Sequence, residues 1–274
     1  MKLSIICVNW NSTDCVENLI SSLEQYPPKS EYEFILVDNA SEDFGNFTSP
    51  LKGLKIIENK ENLKYAKANN QGIEIAEGEF VLFFNPDIKV REHSVDMLLD
   101  FLENNPEYFG ACPKLILPTG QTDLSVRGFP YPFDLMCDIL KLNRLGSRFD
   151  RYRQTKFDYE KDCDVPQPMT SALMVRKSIL DKVGSFDEDF PIFFNDVDLC
   201  FRAFKSGYKI RYIAESEMDH IHGASTKRAD RKVMQYNSYT SLLHFFSKHF
   251  PKHLGLVFIK PLIYAIIKIK GLHP

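Results

Sequence analysis

The stretch Glu79-Phe80-Val81-Leu82-Phe83-Phe84-Asn85-Pro86-Asp87 sets the strongest limit on the fold. Phe80 to Phe84 is an unbroken apolar run rich in aromatic and β-branched types, the pattern of a strand buried on both faces. Asn-Pro-Asp ends it, because proline cannot donate a ladder hydrogen bond in a central strand. Asp87 is left at the carboxyl end of the strand, the edge where open α/β sheets bind ligands. A carboxylate there, with Asn85 beside it, suits a hard divalent cation holding a phosphate. The same residues also fit an ordinary Asn-Pro-Asp turn, so the stretch alone leaves both meanings open.

The chain upstream repeats one grammar. Leu3 to Val8 reads as a strand stopped by Asn9-Trp10-Asn11. Val16, Leu19, Ile20 and Leu23 follow at helical spacing, with Thr13 or Asp14 as the cap. Glu33 to Val37 is a second strand stopped by Asp38-Asn39, Leu54 to Ile57 a third, and Asn62 to Ala76 a loop entering a helix. Short apolar strands alternating with helices predict an α/β fold, a Rossmann-like, mostly parallel sheet flanked by helices. Asn9, Asp38 and Asp87 then share one rim of that sheet. Neither GxGxxG nor GxxxxGK[ST] occurs, which excludes a dinucleotide fingerprint and a P-loop.

Downstream, His93 to Phe101 reads as a helix and Phe109 to Leu117 as a strand. Ser125 to Tyr159 mixes aromatics and arginines without a period, as expected of a loop with short helices that holds an acceptor. Met169 to Val175 is a strand and Lys177 to Val183 a helix. Asp196 and Asp198 stand where an aromatic stretch opens into a helix; acids there are favoured by the helix dipole, so capping accounts for at least one of them. Ile210 to Ile213 is a late strand, followed by Met218-Asp219-His220-Ile221-His222.

Charge and cysteines bound the setting. The six cysteines show no CxxC spacing and read as thiols of a reducing cytoplasm, not as a zinc site or disulfide framework. The N-terminal apolar run is too short for a signal peptide. From Thr226 onward nine Lys and Arg face one acid, Asp230; that segment carries +8, and the rest of a chain of net charge -3 carries -11. Two units are expected: residues 1–225 as the main domain and 226–274 as a basic, apolar, helical extension. Leu254 to Ile267 is too short to cross a bilayer, which takes about 20 apolar residues. Its lysines favour a helix lying in a membrane interface over plain packing or a homo-oligomer contact. The chain is therefore expected to be cytoplasmic and peripheral at the inner face of the cell membrane, with no nucleic acid partner.

Seven segments in order, CVNWN, ILVDNAS, ENLKYAKANNQGI, FFNPD, SALMVRK, VGSFDEDFPIFFNDVDLCFR and HIHGAS, resemble the family 2 glycosyltransferases, particularly rhamnosyltransferase-like members of bacterial surface polysaccharide synthesis. The resemblance spans roughly residues 3 to 225 and implies a GT-A fold. It implies that Asp38 binds the base or ribose, with Asn9 and Trp10 in the same pocket. Lys67 and Asn70 would lie near the ribose or diphosphate. Asp87 would be the metal-binding acid, Asn85 the first position of that element, and His220 a second metal or diphosphate contact. His220, not His222, matches the HxxGxS spacing. Asp196 would be the catalytic base.

The implied reaction is inverting, metal-dependent transfer from a nucleotide-sugar such as dTDP-rhamnose to a saccharide or lipid-linked saccharide. An attacking hydroxyl needs a carboxylate to take its proton, and a leaving diphosphate needs Mg2+ or Mn2+. An imidazole among oxygen ligands leans toward Mn2+. Three positions depart from the family. Asn195 stands where Glu is usual, Ser171 where a small glycine is usual, and Lys64 where glycine precedes an aromatic. Two other classes stay open: a nucleotidyltransferase, which lacks its triphosphate loop here, and a catalytically silent glycan-binding or scaffold protein, which Asn195 makes conceivable.

Overall fold

The computed structural model describes residues 1–45, 47–190, 192–221 and 230–273. Eleven strands and eight α-helices are described. In chain order they are β1 Leu3–Asn9, α1 Thr13–Gln25, β2 Tyr32–Asp38, β3 Leu54–Glu58, α2 Lys64–Ile75, β4 Phe80–Phe84, β5 Ile88–Val90, α3 Ser94–Asn104 and β6 Tyr108–Ile116. Then come β7 Val126–Arg127, α4 Pro132–Ile139, β8 Cys163–Val165, β9 Gln167–Pro168, β10 Ala172–Arg176, α5 Lys177–Val183, α6 Asn195–Lys205, β11 Lys209–His220, α7 Arg231–His249 and α8 Leu256–Ile269.

The main sheet runs β3-β2-β1-β4-β10-β6-β11-β5, with β8 beside β11. Its first four strands are parallel, as their helical crossovers require. β10 is antiparallel to both neighbours, and β11 is parallel to β6. Asn9 pairs with Asp38, and Cys7 with Phe84, so the polar stops of β1, β2 and β4 share one rim.

Side chains alternate across the sheet with a period of two. Leu3, Ile5, Cys7, Leu82 and Phe84 enter one core with α1 and α3. Ile6, Val8, Val81 and Phe83 enter the other, with α5, α6, α7 and α8. Both faces are covered, which is why the Phe80 run lacks polar alternation. Gly72 lets α2 pass close to β1: a Cβ there would stand 2.6 Å from Ile6.

β11 extends past the expected late strand to His220 and carries the irregularity that matters most. Ile213 pairs with Pro113 and Glu217 with Lys114, so residues 214–216 have no counterpart on β6. An odd insertion reverses which side chains face which side. The strand then pairs antiparallel with β5, His220 opposite Ile88.

The C-terminal extension packs on the same core. Phe245 and Phe246 of α7 and Ile259 and Ile263 of α8 are buried in it. Asp198, fully buried on α6, fastens α7: it meets Arg202 at 2.8 Å, Lys248 at 2.7 Å and His249 at 2.7 Å. This carboxylate is structural, but as an acceptor between α6 and α7 and not as the expected cap: the N-terminus of α6 has no side-chain cap hydrogen bond. Among the described residues no helix is long and apolar enough to cross a membrane.

Burial opposes the charge of Asp198, but His249, Lys248 and Arg202 overcome it and hold the carboxyl at about 2. Removing one member of a buried ion network costs about 3–5 kcal/mol. Asp198→Ala should therefore lower the melting temperature by roughly 6–20 °C. The folded value lies below the unfolded value of about 3.9, so this contribution is complete above pH ~4 and fades as pH falls toward ~2. A melting temperature equal to wild type would contradict the assignment.

Candidate active site

A cavity of about 680 Å³ opens at the carboxyl rim, with Trp10, Asn85, Asp87, Asp196 and His220 all on its wall. These five, predicted from positions spread over the chain, converge on one space.

Asp87 and His220 are brought together by backbone. The Ile221 N–H donates to the Asp87 carbonyl at 2.9 Å, extending the β5–β11 pairing. The side chains then meet with His220 Nε2 3.5 Å from Asp87 Oδ1, both residues buried. The other imidazole nitrogen, Nδ1, lies 2.8 Å from Asp123 Oδ2. Asp123 was not foreseen. It sits in the return of a turn after β6, where its N–H donates to the Leu115 carbonyl, and Leu115 is the β6 partner of Met218. No local pattern links it to a histidine 97 residues away. Burial disfavours the imidazolium, but Asp123 and Asp87 outweigh it and raise His220 to about 9.

This donor set fits a divalent cation. A carboxylate fixing one imidazole nitrogen leaves the other aimed at the ligand position, the usual outer support of a metal-bound histidine. Asn85 flanks it, its amide donating to Ser171 Oγ at 3.1 Å and its N–H to the Ser171 carbonyl at 2.9 Å. The serine that replaces the family's glycine thus orients Asn85.

Asp196 occupies the first turn of α6, half-buried against Thr170. Its Oδ1 accepts from the Val197 N–H at 2.8 Å. Burial raises its carboxyl to about 6, and backbone N–H groups of Val197, Asp196 and Thr170 restrain the rise. Phe194, just before, has φ +66°, and Lys64 on the opposite wall has φ +69°. Such conformations cost a bulky residue of order 1–3 kcal/mol and gather at functional sites. The lysine stands where the family's glycine would have no such cost. Asn195, the usual glutamate, donates its amide to the Ile192 carbonyl at 2.8 Å, a bond that an ionised glutamate cannot give. It locks the loop before Asp196.

The remaining predicted residues lie off the cavity wall. Asn9 and Asp38 are buried behind Trp10: the Asn9 amide donates to Asp38 Oδ1 at 2.9 Å, and the Ser41 N–H to Oδ2 at 3.0 Å. Asn70 clamps the loop before α6, bonding the Phe186 carbonyl and N–H at 2.9 and 3.0 Å. Lys67 is exposed on α2 and not on the wall. Beside Trp10 the wall is made instead by Asn39, Asn62 and Lys64. Val233, Met234 and Asn237 of α7 close the far side. Helix α7 of the C-terminal extension therefore contributes to the wall of this cavity. His222 and Ser225 lie outside the described residues.

Solved structures share this architecture. GalNAc-T7 with UDP, GalNAc and Mn2+ superposes with TM-score 0.61 at 13% identity, over 81% of this chain and 44% of that one. A mannosyltransferase of Pyrobaculum calidifontis in complex with GDP-Man and Mn2+ gives 0.61 at 17%, over 97% and 69%. The fold is the GT-A arrangement of glycosyltransferases. The chain belongs to glycosyl transferase family 2, whose pattern matches residues 4–184, and it is a rhamnosyltransferase-like glycosyltransferase. The N-acetylglucosaminyl-diphospho-decaprenol L-rhamnosyltransferase of Mycobacterium tuberculosis is 26% identical over 82% of this chain and 78% of its own length. Rhamnosyltransferase WbbL of Escherichia coli is 26% identical over half of each chain.

If Asp196 is the base, its carboxyl at about 6 sets a defined pH dependence, since only the ionised carboxylate accepts a proton. The ratio kcat/KM should be level above pH ~7 and fall about tenfold per unit below ~6. Asp196→Asn should lower kcat by roughly 10²–10⁴-fold. An acid limb near pH 4, where an ordinary carboxylate titrates, would remove Asp196 from the role.

Proposed function

We propose that the chain is an inverting, divalent-metal-dependent enzyme that moves a sugar from a nucleotide-sugar, with a deoxysugar donor such as dTDP-rhamnose, to a lipid-linked saccharide. The observation that carries this reading is one cavity holding both the Asp87–His220–Asp123 cluster and a carboxylate raised to about 6 at Asp196. The relatives named as rhamnosyltransferases support the donor class, and the decaprenol-linked substrate in the mycobacterial name supports the acceptor class.

In this reading Trp10 supplies an apolar face for the base, and Asn39 and Asn62 offer polar contacts to the nucleoside. Asn9 and Asp38 hold the loops that carry them. Asn70 does the same for the loop before α6, and Lys67 is an exposed charge available to the diphosphate. Asp87 and His220 would hold Mg2+ or Mn2+, which would supply Lewis-acid neutralisation of the leaving diphosphate. Asp196 takes the acceptor's hydroxyl proton as that oxygen attacks the anomeric carbon from the face opposite the diphosphate. One base and one displacement invert the configuration.

The lipid-linked acceptor agrees with an apolar surface on α8. Leu254, Val257, Phe258, Tyr264 and Ile269 are exposed, Ile269 at 84%. With the exposed Lys252 and Lys268 they form a surface suited to an anionic bilayer. We propose peripheral attachment at the cytoplasmic leaflet through this face.

A panel of nucleotide-sugars incubated with the chain and Mn2+ tests the reaction. One donor should release its nucleoside diphosphate, EDTA should stop release, and the product's anomeric proton should show inversion by NMR. Full activity in EDTA, or a product of retained configuration, would falsify the mechanism. The attachment is checked by sedimentation with phosphatidylglycerol vesicles at low salt, where Val257→Ser/Phe258→Ser should leave the chain in the supernatant; equal pelleting of both forms would rule it out.

A further inference from the structure

A second cavity, of about 760 Å³, lies on the other side of α7. The two cavities share one wall residue, Phe194, immediately before Asn195 and Asp196. Its apolar lining comes from three helices: Ile139 of α4, Leu242 of α7, and Ile263 and Ile266 of α8. Its polar lining is uneven. Lys141, Arg144, Arg153 and Lys270 face it, against one acid, Asp138.

Asp138 is already engaged by Arg153. Lys270 Nζ donates to the Tyr239 hydroxyl at 3.2 Å and lies over that ring, and among the described residues it forms no ion pair. Among the described residues Lys141 and Arg144 form no ion pair, and both are exposed. A packing gap between helices gains nothing from gathering cations of one sign, which repel one another. The arrangement is favourable when an anion with an apolar continuation enters: the anion meets the rim, and the chain meets Ile139, Leu242, Ile263 and Ile266.

We propose that this second cavity receives the diphosphate and first isoprenoid units of a lipid-linked acceptor, with the saccharide passing Phe194 toward Asp196. Three observations carry it: four cations against one acid, an apolar lining on the same cavity, and a shared wall with the catalytic space. Helix α8, whose inner side contributes Ile263 and Ile266 to the cavity, carries exposed apolar residues on its outer side that let the remainder of the isoprenoid continue into a bilayer. The strained Phe194, at φ +66°, is the threshold between the two spaces. The inference rests on the transferase reading for the identity of the saccharide, but the cavity's preference for an anionic amphiphile stands apart from it.

Farnesyl diphosphate is the probe, titrated calorimetrically into the full chain below its micelle concentration, beside inorganic diphosphate. UDP with Mn2+ is the control for the first cavity. Farnesyl diphosphate should bind at least tenfold tighter than inorganic diphosphate. Lys141→Gln/Arg144→Gln should weaken it by roughly tenfold or more, two charge-assisted contacts being lost. Both side chains are exposed, and an unchanged melting temperature and UDP affinity would confirm that the variant is folded. Three results would overturn the proposal: farnesyl diphosphate no tighter than inorganic diphosphate, an unchanged affinity in the double variant, or displacement of farnesyl diphosphate by UDP with Mn2+. Tight farnesyl diphosphate binding by a chain that releases no nucleoside diphosphate from any donor of the panel would support the second cavity and refute the transferase reading instead.

Discussion

The pairing of β11 with β5 is the constraint on which the site depends. Asp87 and His220 are far apart in the chain, and the Ile221 N–H bond to the Asp87 carbonyl sets them side by side. The three unpaired residues 214–216 fix which face His220 takes. A slip of one residue would turn the imidazole away from both Asp87 and Asp123. Two buried carboxylates and one buried imidazole are costly to desolvate separately, and tolerable because they lie within 3.5 Å and 2.8 Å of one another.

Much of this was legible because it is local. The Phe80–Phe84 run and its Asn-Pro-Asp stop define a central strand and its functional end without reference to anything distant. The alternation through β1, β2 and β4 fixes the parallel block, and the register of Asn9 with Asp38 follows from it. Helix α5 falls on Lys177–Val183, as its spacing predicts. What could not be read is non-local. Asp123 follows an unremarkable turn, and its meaning comes only from β6 lying beside β11. Nor does any spacing announce that Asn9 and Asp38 bond to each other behind the cavity wall.

The C-terminal helices show the same limit from another side. Their composition, basic and apolar, favours a membrane interface but also fits packing or self-association. In the structure one helix touches both cavities: α7 is fastened through Asp198, walls the candidate active site with Asn237, and walls the second cavity with Leu242. Helix α8 buries Ile259 and Ile263 and leaves Phe258 at 71% exposure. Packing and surface contact are thus two faces of one element. Asn195 has a similar lesson. As a missing acid it weakens the case for catalysis, but as an amide donor to Ile192 it holds the loop that presents Asp196.

Electron paramagnetic resonance of Mn2+ tests most directly whether the Asp87–His220–Asp123 cluster is a metal centre. In a titration of the full chain the free-ion signal should fall as the protein binds Mn2+, and adding dTDP should tighten that binding. Asp123→Asn should weaken it roughly 10–100-fold, as loss of the carboxylate behind a ligating imidazole does, and Asp87→Ala should abolish it. Equal Mn2+ binding by wild type and Asp87→Ala, with dTDP of no effect on either, would contradict the account.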